Sequence, residues 1–277
     1  MNWIDLLRHN TARKGAPLTL AALLGAAALL AGCNSTPKVS ESQWSAERLY
    51  SEAKEEASSG NYERAGKLYE RLEGRASGTV LAQQAQLERA YMLFKTNERA
   101  EALSVLERFI KLHPTSPALD YALYLQGMVN FNDNLGLLGS FAGQELSERD
   151  QQASRDSYQS YRQLVDQFPN SIYADDSRVR MGYILNSLAA YEVHVANYYY
   201  RRGAYVAAAN RAQQAVTEFQ QSPSAEEGLY IMAQSYDKLG LTDLRDDAER
   251  VLRSSFPNST FPTQGFREKS RRWYQLW

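Results

Sequence analysis

Small residues at a fixed interval constrain this chain more than any other feature. In GNYERAGKLYERL, residues 60–72, Ala65, Tyr69 and Leu72 stand four and three apart and stack on one helix face. Shifted by 37 residues they become Ala102, Leu106 and Phe109 in NERAEALSVLERFIKLHP. The same shift takes Ala53, in the helix before, onto Ala90. The small residue of each first helix is then expected at Gly127, Gly182 and Ala233. Gly60 suits a tight turn, and Asn61 an N-cap whose side chain accepts from an orphan amide. Second helices close on KLHPTSP, DQFPNSIY, TEFQQSPS and SSFPNST, where proline halts the helix.

A helix–turn–helix unit near 34 residues, with small residues where the helices touch, resembles the tetratricopeptide repeat. The expected fold is all-α: an α-solenoid of about five tetratricopeptide-like helix pairs, at 44–74, 80–114, 117–169, 174–222 and 225–257. A generic helical bundle is the alternative. The third unit is interrupted over 132–150 by glycines and by Leu135, Leu137, Leu138 and Phe141, an inserted loop that suits either function or local packing. Ile184 to Arg202 contains no breaker, so the fourth unit is expected to have longer helices. Residues 259–277 form a C-terminal tail. Its arginines and tryptophans suit a membrane surface, a partner or simple fraying, and fraying is the expectation.

At the N-terminus Arg8, Arg13 and Lys14 precede an apolar run from Leu18 to Ala31 that ends in Leu-Ala-Gly-Cys. This is the layout of a secretory signal, too short for a confident membrane span. Leu-Ala-Gly-Cys resembles the bacterial lipoprotein signal, with Cys33 as the lipidated first mature residue, carrying S-diacylglycerol and N-palmitoyl chains. An ordinary signal peptide with a chance cysteine is the alternative. Residues 1–32 are then removed and 33–43 form anchor and tether, reaching at most roughly 30 Å at about 3.3 Å per residue. Asn34 follows the cysteine, where Asp usually marks inner-membrane retention in such lipoproteins. The expected location is the periplasmic face of the outer membrane.

Cys33 is the sole cysteine, so neither an intramolecular disulfide nor thiol catalysis remains once it is acylated. Removing residues 1–32 takes away Arg8, Arg13, Lys14 and Asp5, leaving 28 basic against 31 acidic residues. That is no nucleic-acid footprint. His113 sits beside a helix-ending proline and His194 mid-helix, without metal-ligand spacing. GNYERAGK lacks the spacing and the Ser or Thr of a phosphate loop, and GLLGSFAG is no nucleophile elbow. Asp175 and Asp176 are adjacent on a helix, so their carboxylates diverge and read as a helix-start charge pair. No enzyme, metal or cofactor is expected.

What remains is surface. One stripe of the first helices reads Leu87, Tyr91, Phe94, then Tyr121, Tyr124, Met128 and Phe131, with Tyr50 ahead of them. Facing a groove, it offers aromatic pockets to an extended peptide. The same i, i+3, i+7 spacing also describes a core.

YEVHVANYYYRRGAYVAAANR at 191–211, with the lipoprotein signal, FIKLHPTSPALDY and SERDQQASR, resembles the BamD family, lipoproteins of the bacterial β-barrel assembly machinery. The resemblance spans about 33–258. It implies a five-repeat, non-enzymatic scaffold that binds BamA and the lipoproteins BamC and BamE and receives unfolded outer-membrane proteins. It also implies that Arg211, after the Gly-Ala-Tyr motif, pairs with a carboxylate of BamA, where the residues alone read as a solvated arginine. Reversing Arg211 to Glu is then expected to weaken BamA while sparing the early repeats. Those repeats are implied to bind substrate C-terminal signals ending in an aromatic residue, which suits Tyr50, Leu87, Tyr91, Phe94, Tyr121 and Tyr124. A periplasmic adaptor recruiting cell-wall enzymes is the alternative.

Overall fold

The computed structural model describes residues 40–131 and 151–266. The signal, Cys33, the insertion at 132–150 and the tail from 267 lie outside these residues. The chain divides into two units, 1–45 and 46–277. The described part of the first is a 3-10 turn, Glu41–Gln43.

The second unit is built of helices that pack on their neighbours in chain order. Five pairs follow one another: α1 (Ala46–Ser58) with α2 (Tyr62–Arg75), α3 (Val80–Lys95) with α4 (Arg99–Leu112), α5 (Leu119–Asn130) with α6 (Gln151–Gln167), α7 (Ala174–Arg201) with α8 (Tyr205–Glu218), and α9 (Ser224–Lys238) with α10 (Thr242–Ser255). A four-residue helix, α11 (Phe261–Gln264), ends the described chain. This is the α-solenoid.

The repeat is visible atom by atom. Within four pairs the turn residue has a left-handed backbone: Gly60 (φ 85°), Asn97 (φ 67°), Gly203 (φ 77°) and Gly240 (φ 72°). Glycine takes that conformation without Cβ strain, and asparagine is among the few others that tolerate it. The next amide then reaches back five residues, Asn61 to Glu56, Glu98 to Leu93, Ala204 to Tyr199 and Leu241 to Tyr236, at 2.8–3.0 Å. That bond satisfies an orphan carbonyl at the helix end. Asn61 itself caps nothing with its side chain, which donates to Glu56 Oε2 at 2.9 Å instead. Between pairs a hydroxyl recurs in the same way. The amides of Ser116, Ser171, Ser222 and Ser259 each donate to the carbonyl three residues earlier, at 2.9–3.0 Å.

Packing follows these fixed turns. The residue nine positions before each second helix is Ala53, Ala90, Ala196 or Ala233, and each is at most 1% exposed. Gly182, expected in this column, is exposed with open space around its Cα. The reason is helix length: α7 has 28 residues against 15 in α9, and its extra turns precede the stretch that meets α8. Ala196 therefore takes the position. In the third pair Gly127 fills it, and Tyr161 of α6 lies directly over its Cα.

Ala65 and Ala102 are both fully buried in the second helices. Ala102→Leu adds three heavy atoms to a site walled by Leu106 and Phe109, and overpacking of this kind costs about 1–3 kcal/mol. A lower melting temperature by calorimetry is the expected reading.

The first residues of the tail are ordered, and the arginines and tryptophans on which the fraying expectation rests lie outside the described residues. Phe261 is 2% exposed and stacks on Tyr230 at 5.3 Å, and Phe266 lies 4.9 Å from Tyr200 and 5.0 Å from Tyr230. These rings cover α9, the last first-helix among the described residues.

Candidate functional site

The aromatic stripe divides between core and surface. Leu87 is 4% exposed and belongs to the core of the second pair with Ala90 and Phe109, so it is withdrawn from any groove. Tyr91, Phe94 and Tyr121 are half-buried against that same core. The half-open side of α3 is one residue round from the expected line, at Glu88 and Tyr91, which are three apart and share a face. Tyr50 stands at the edge of this region. Its ring meets Tyr69 edge-on at 6.4 Å, and its hydroxyl accepts from Gln84 Nε2 at 2.8 Å.

Glu88, Tyr91, Tyr121, Tyr124 and Tyr173 are electrostatic neighbours. Burial pushes the Tyr121 hydroxyl above its ordinary value, with Glu88 and then Tyr173 acting in the same direction. Burial likewise raises the Glu88 carboxyl, and Lys54 opposes it. The site therefore holds aromatic faces and the Tyr121 hydroxyl beside one partly desolvated carboxyl group, that of Glu88. Such a surface offers hydrogen bonds and ring contacts to a peptide.

At the junction with the fourth pair, Tyr124 stacks on Tyr173 with centroids 4.8 Å apart, and Tyr121 lies 5.6 Å from the same ring. The Tyr124 hydroxyl donates to Asp176 at 2.7 Å, and Arg180 Nε donates to the same carboxylate oxygen at 2.5 Å. Burial alone would raise the Asp176 carboxyl, but these bonds outweigh it and hold it below the ordinary range. Asp175 turns away to Arg178 at 2.6 Å, so the adjacent carboxylates do diverge. Met128 and Phe131, further along the stripe, are half-buried against Tyr161 and Leu188.

Periodicity does not point to Glu88, Tyr173 or Arg180, and it marks Asp176 only as half of a helix-start charge pair. Glu88 was signalled by a charge three residues from Tyr91 inside an apolar stretch. Tyr173 sits in a pair-to-pair turn, where no helical period reveals it.

Arg211 lies on α8, and its guanidinium Nη1 donates to Glu192 Oε2 on α7 at 3.0 Å. The arginine side chain is 42% exposed and the glutamate side chain 4%. Arg211 is thus no freely solvated arginine: one nitrogen serves a buried carboxylate, and the side chain stays half-exposed. His113 is half-buried beside Phe109, with ring centroids 5.1 Å apart, and His194 is exposed on α7.

Comparison with known proteins agrees with this architecture. A family model described as an outer membrane lipoprotein, YfiO, matches residues 42–252. A protein of Neisseria meningitidis serogroup A named outer membrane protein assembly factor BamD is 45% identical over 234 residues, covering 84% of this chain and 88% of its own. Proteins of the same name from Haemophilus influenzae and Vibrio cholerae are each 32% identical. The first covers 83% of this chain and 88% of its own, the second 84% and 96%. The chain belongs to the BamD family of outer membrane protein assembly factors.

Proposed function

We propose that this chain is a non-enzymatic scaffold, anchored by lipid on Cys33 to the periplasmic face of the outer membrane. Its later repeats bind BamA through Arg211 and its early repeats receive the aromatic C-terminal segments of unfolded outer-membrane proteins. BamC and BamE are its further partners in the machinery. The observation that carries the reading is the half-open tyrosine face spanning two successive pairs, where Tyr91, Tyr124 and Glu88 are the electrostatic neighbours of Tyr121. A terminal aromatic ring suits those faces. Half-burial in each pair fixes the rings in place, so little side-chain entropy is lost when a peptide binds.

Tyr91 tests this most cleanly, because Tyr124 also carries the bond to Asp176. Tyr91→Ala is expected to reduce crosslinking to a barrel-protein C-terminal peptide several-fold, with helical circular dichroism retained. Tyr124→Phe keeps the ring and should crosslink like the native chain. Binding that survives Tyr91→Ala, with stability lost instead, makes the face part of the core alone.

The anchor rests on chemistry at one atom. No helix among the described residues is long and apolar enough to cross a membrane. Each buried acyl CH₂ contributes about 0.8 kcal/mol, and more than one chain gives stable attachment. Cys33→Ser is expected to leave a folded protein that no longer sediments with membranes from cells lacking BamA. Sedimentation at the native level would contradict the lipid anchor.

A further inference from the structure

Aligned by their turns, the five pairs show where the fourth departs from the others. Glu192 stands four residues before Ala196, a position held elsewhere by Leu49, Gln86, Leu123 and Leu229. All five are buried, and three of the other four are leucine. Arg211 stands seven residues before the end of its helix, where the other pairs have Leu68, Val105, Ser160 and Ala248, each at most 6% exposed. Where the other pairs bury uncharged residues in both columns, the fourth has an ion pair whose carboxylate is out of water and whose arginine side chain is half in it.

For stability alone this exchange is poor. Desolvating two charges costs more than a well-packed apolar pair in many proteins, and replacing a buried ion pair by apolar residues is often neutral or stabilising. What the pair does supply is orientation. An arginine carries a long flexible stem, and the planar fork is useful only when it is aimed. Nη1 is tied to Glu192 at 3.0 Å, and the side chain keeps 42% of its surface exposed. The tie restrains the guanidinium at one nitrogen while the side chain stays half-exposed to an outside acceptor.

We infer that Glu192 is a positioning residue: it holds Arg211 in the orientation that receives a carboxylate from a partner protein. This rests on the proposed contact of Arg211 with BamA and names the residue that makes it selective for a planar, bidentate acceptor. Preorganisation of this kind strengthens binding by lowering the ordering cost on association. It adds no contact of its own.

The test uses two full-length variants that the repeat itself shows to be compatible with the fold. Glu192→Leu supplies the residue of Leu49, Leu123 and Leu229 and leaves Arg211 without its tie. Glu192→Leu with Arg211→Ala reproduces the Leu229 and Ala248 combination of the fifth pair and removes the fork altogether. BamA recovered with each variant from solubilised outer membranes is measured over a salt series, beside the melting temperature. The expected result is that Glu192→Leu melts no lower than the native chain yet recovers about tenfold less BamA, a loss close to that of the double variant. A structural role alone would give the reverse, a lower melting temperature with BamA retained. Native recovery by Glu192→Leu with loss in the double variant overturns the positioning role and leaves the Arg211 contact standing. Native recovery by both overturns the contact itself, and the positioning role with it. Should Glu192→Leu fold poorly, Glu192→Met keeps the length and volume of the side chain while removing the oxygen acceptor, and unchanged BamA recovery there also overturns the inference.

Discussion

An Arg211→Glu chain is expected to melt well below the native one, whatever it does to BamA. The substitution removes the partner of a carboxylate that is 4% exposed and sets a second negative charge beside it. Breaking a buried pair by removing one partner costs about 3–5 kcal/mol, and the half-exposed guanidinium places this case near 3. Charge reversal therefore does not separate binding from folding, contrary to what the isolated motif implies. The fourth pair is the element that loosens, since Glu192 joins α7 to α8. Thermal unfolding followed by circular dichroism checks this directly. The Glu192→Leu, Arg211→Ala chain, which leaves no buried charge, is expected to melt close to the native temperature.

Gly127→Ala is the second large effect, and it is steric. A Cβ at this position would lie 2.5 Å from Tyr161 Cε1, 2.7 Å from Cζ and 2.8 Å from Cδ1. These are ring atoms of a fully buried side chain, held from the other side by Ile184 and Leu188. No flexible end can swing away, so either the ring leaves its rotamer or α5 and α6 separate. Overpacking costs about 1–3 kcal/mol, and a ring with so little freedom puts this substitution at the upper end. Separation would also stretch the bond from Ser157 Oγ to the Gly127 carbonyl, now 2.8 Å. A domain of this size loses roughly 2–4 °C for each kcal/mol, so a fall of about 5–10 °C is expected. An unchanged melting temperature would show that the third pair packs differently.

These two sites mark what could be read in the residues and what could not. Periodicity alone places Ala53, Ala65, Ala90 and Ala102, because the turns and second helices of the first two pairs match in length and a single shift overlays them. It fails at Gly182, because α7 carries several small residues and only the position of α8 decides that Ala196 is the one that meets it. The stripe fails by a single residue. Leu87 and Glu88 differ by one step of about 100°, and that step crosses the boundary between core and surface. The Glu192–Arg211 pair joins two helices across 19 residues, so no i, i+4 rule can find it. It becomes legible only when the pairs are aligned by their turns and the two charged residues stand out in columns that are otherwise almost wholly uncharged.

In the proposed role the folded chain holds other proteins, BamA first among them, at the outer membrane. The most direct measurement is recovery of the full-length chain from solubilised outer membranes, with every co-purifying protein identified by mass. The account predicts BamA together with BamC and BamE in the recovered complex, and loss of BamA specifically when Glu192→Leu and Arg211→Ala are combined in a chain that still melts near the native temperature. Recovery of the folded chain without BamA, or with cell-wall enzymes in its place, would contradict it.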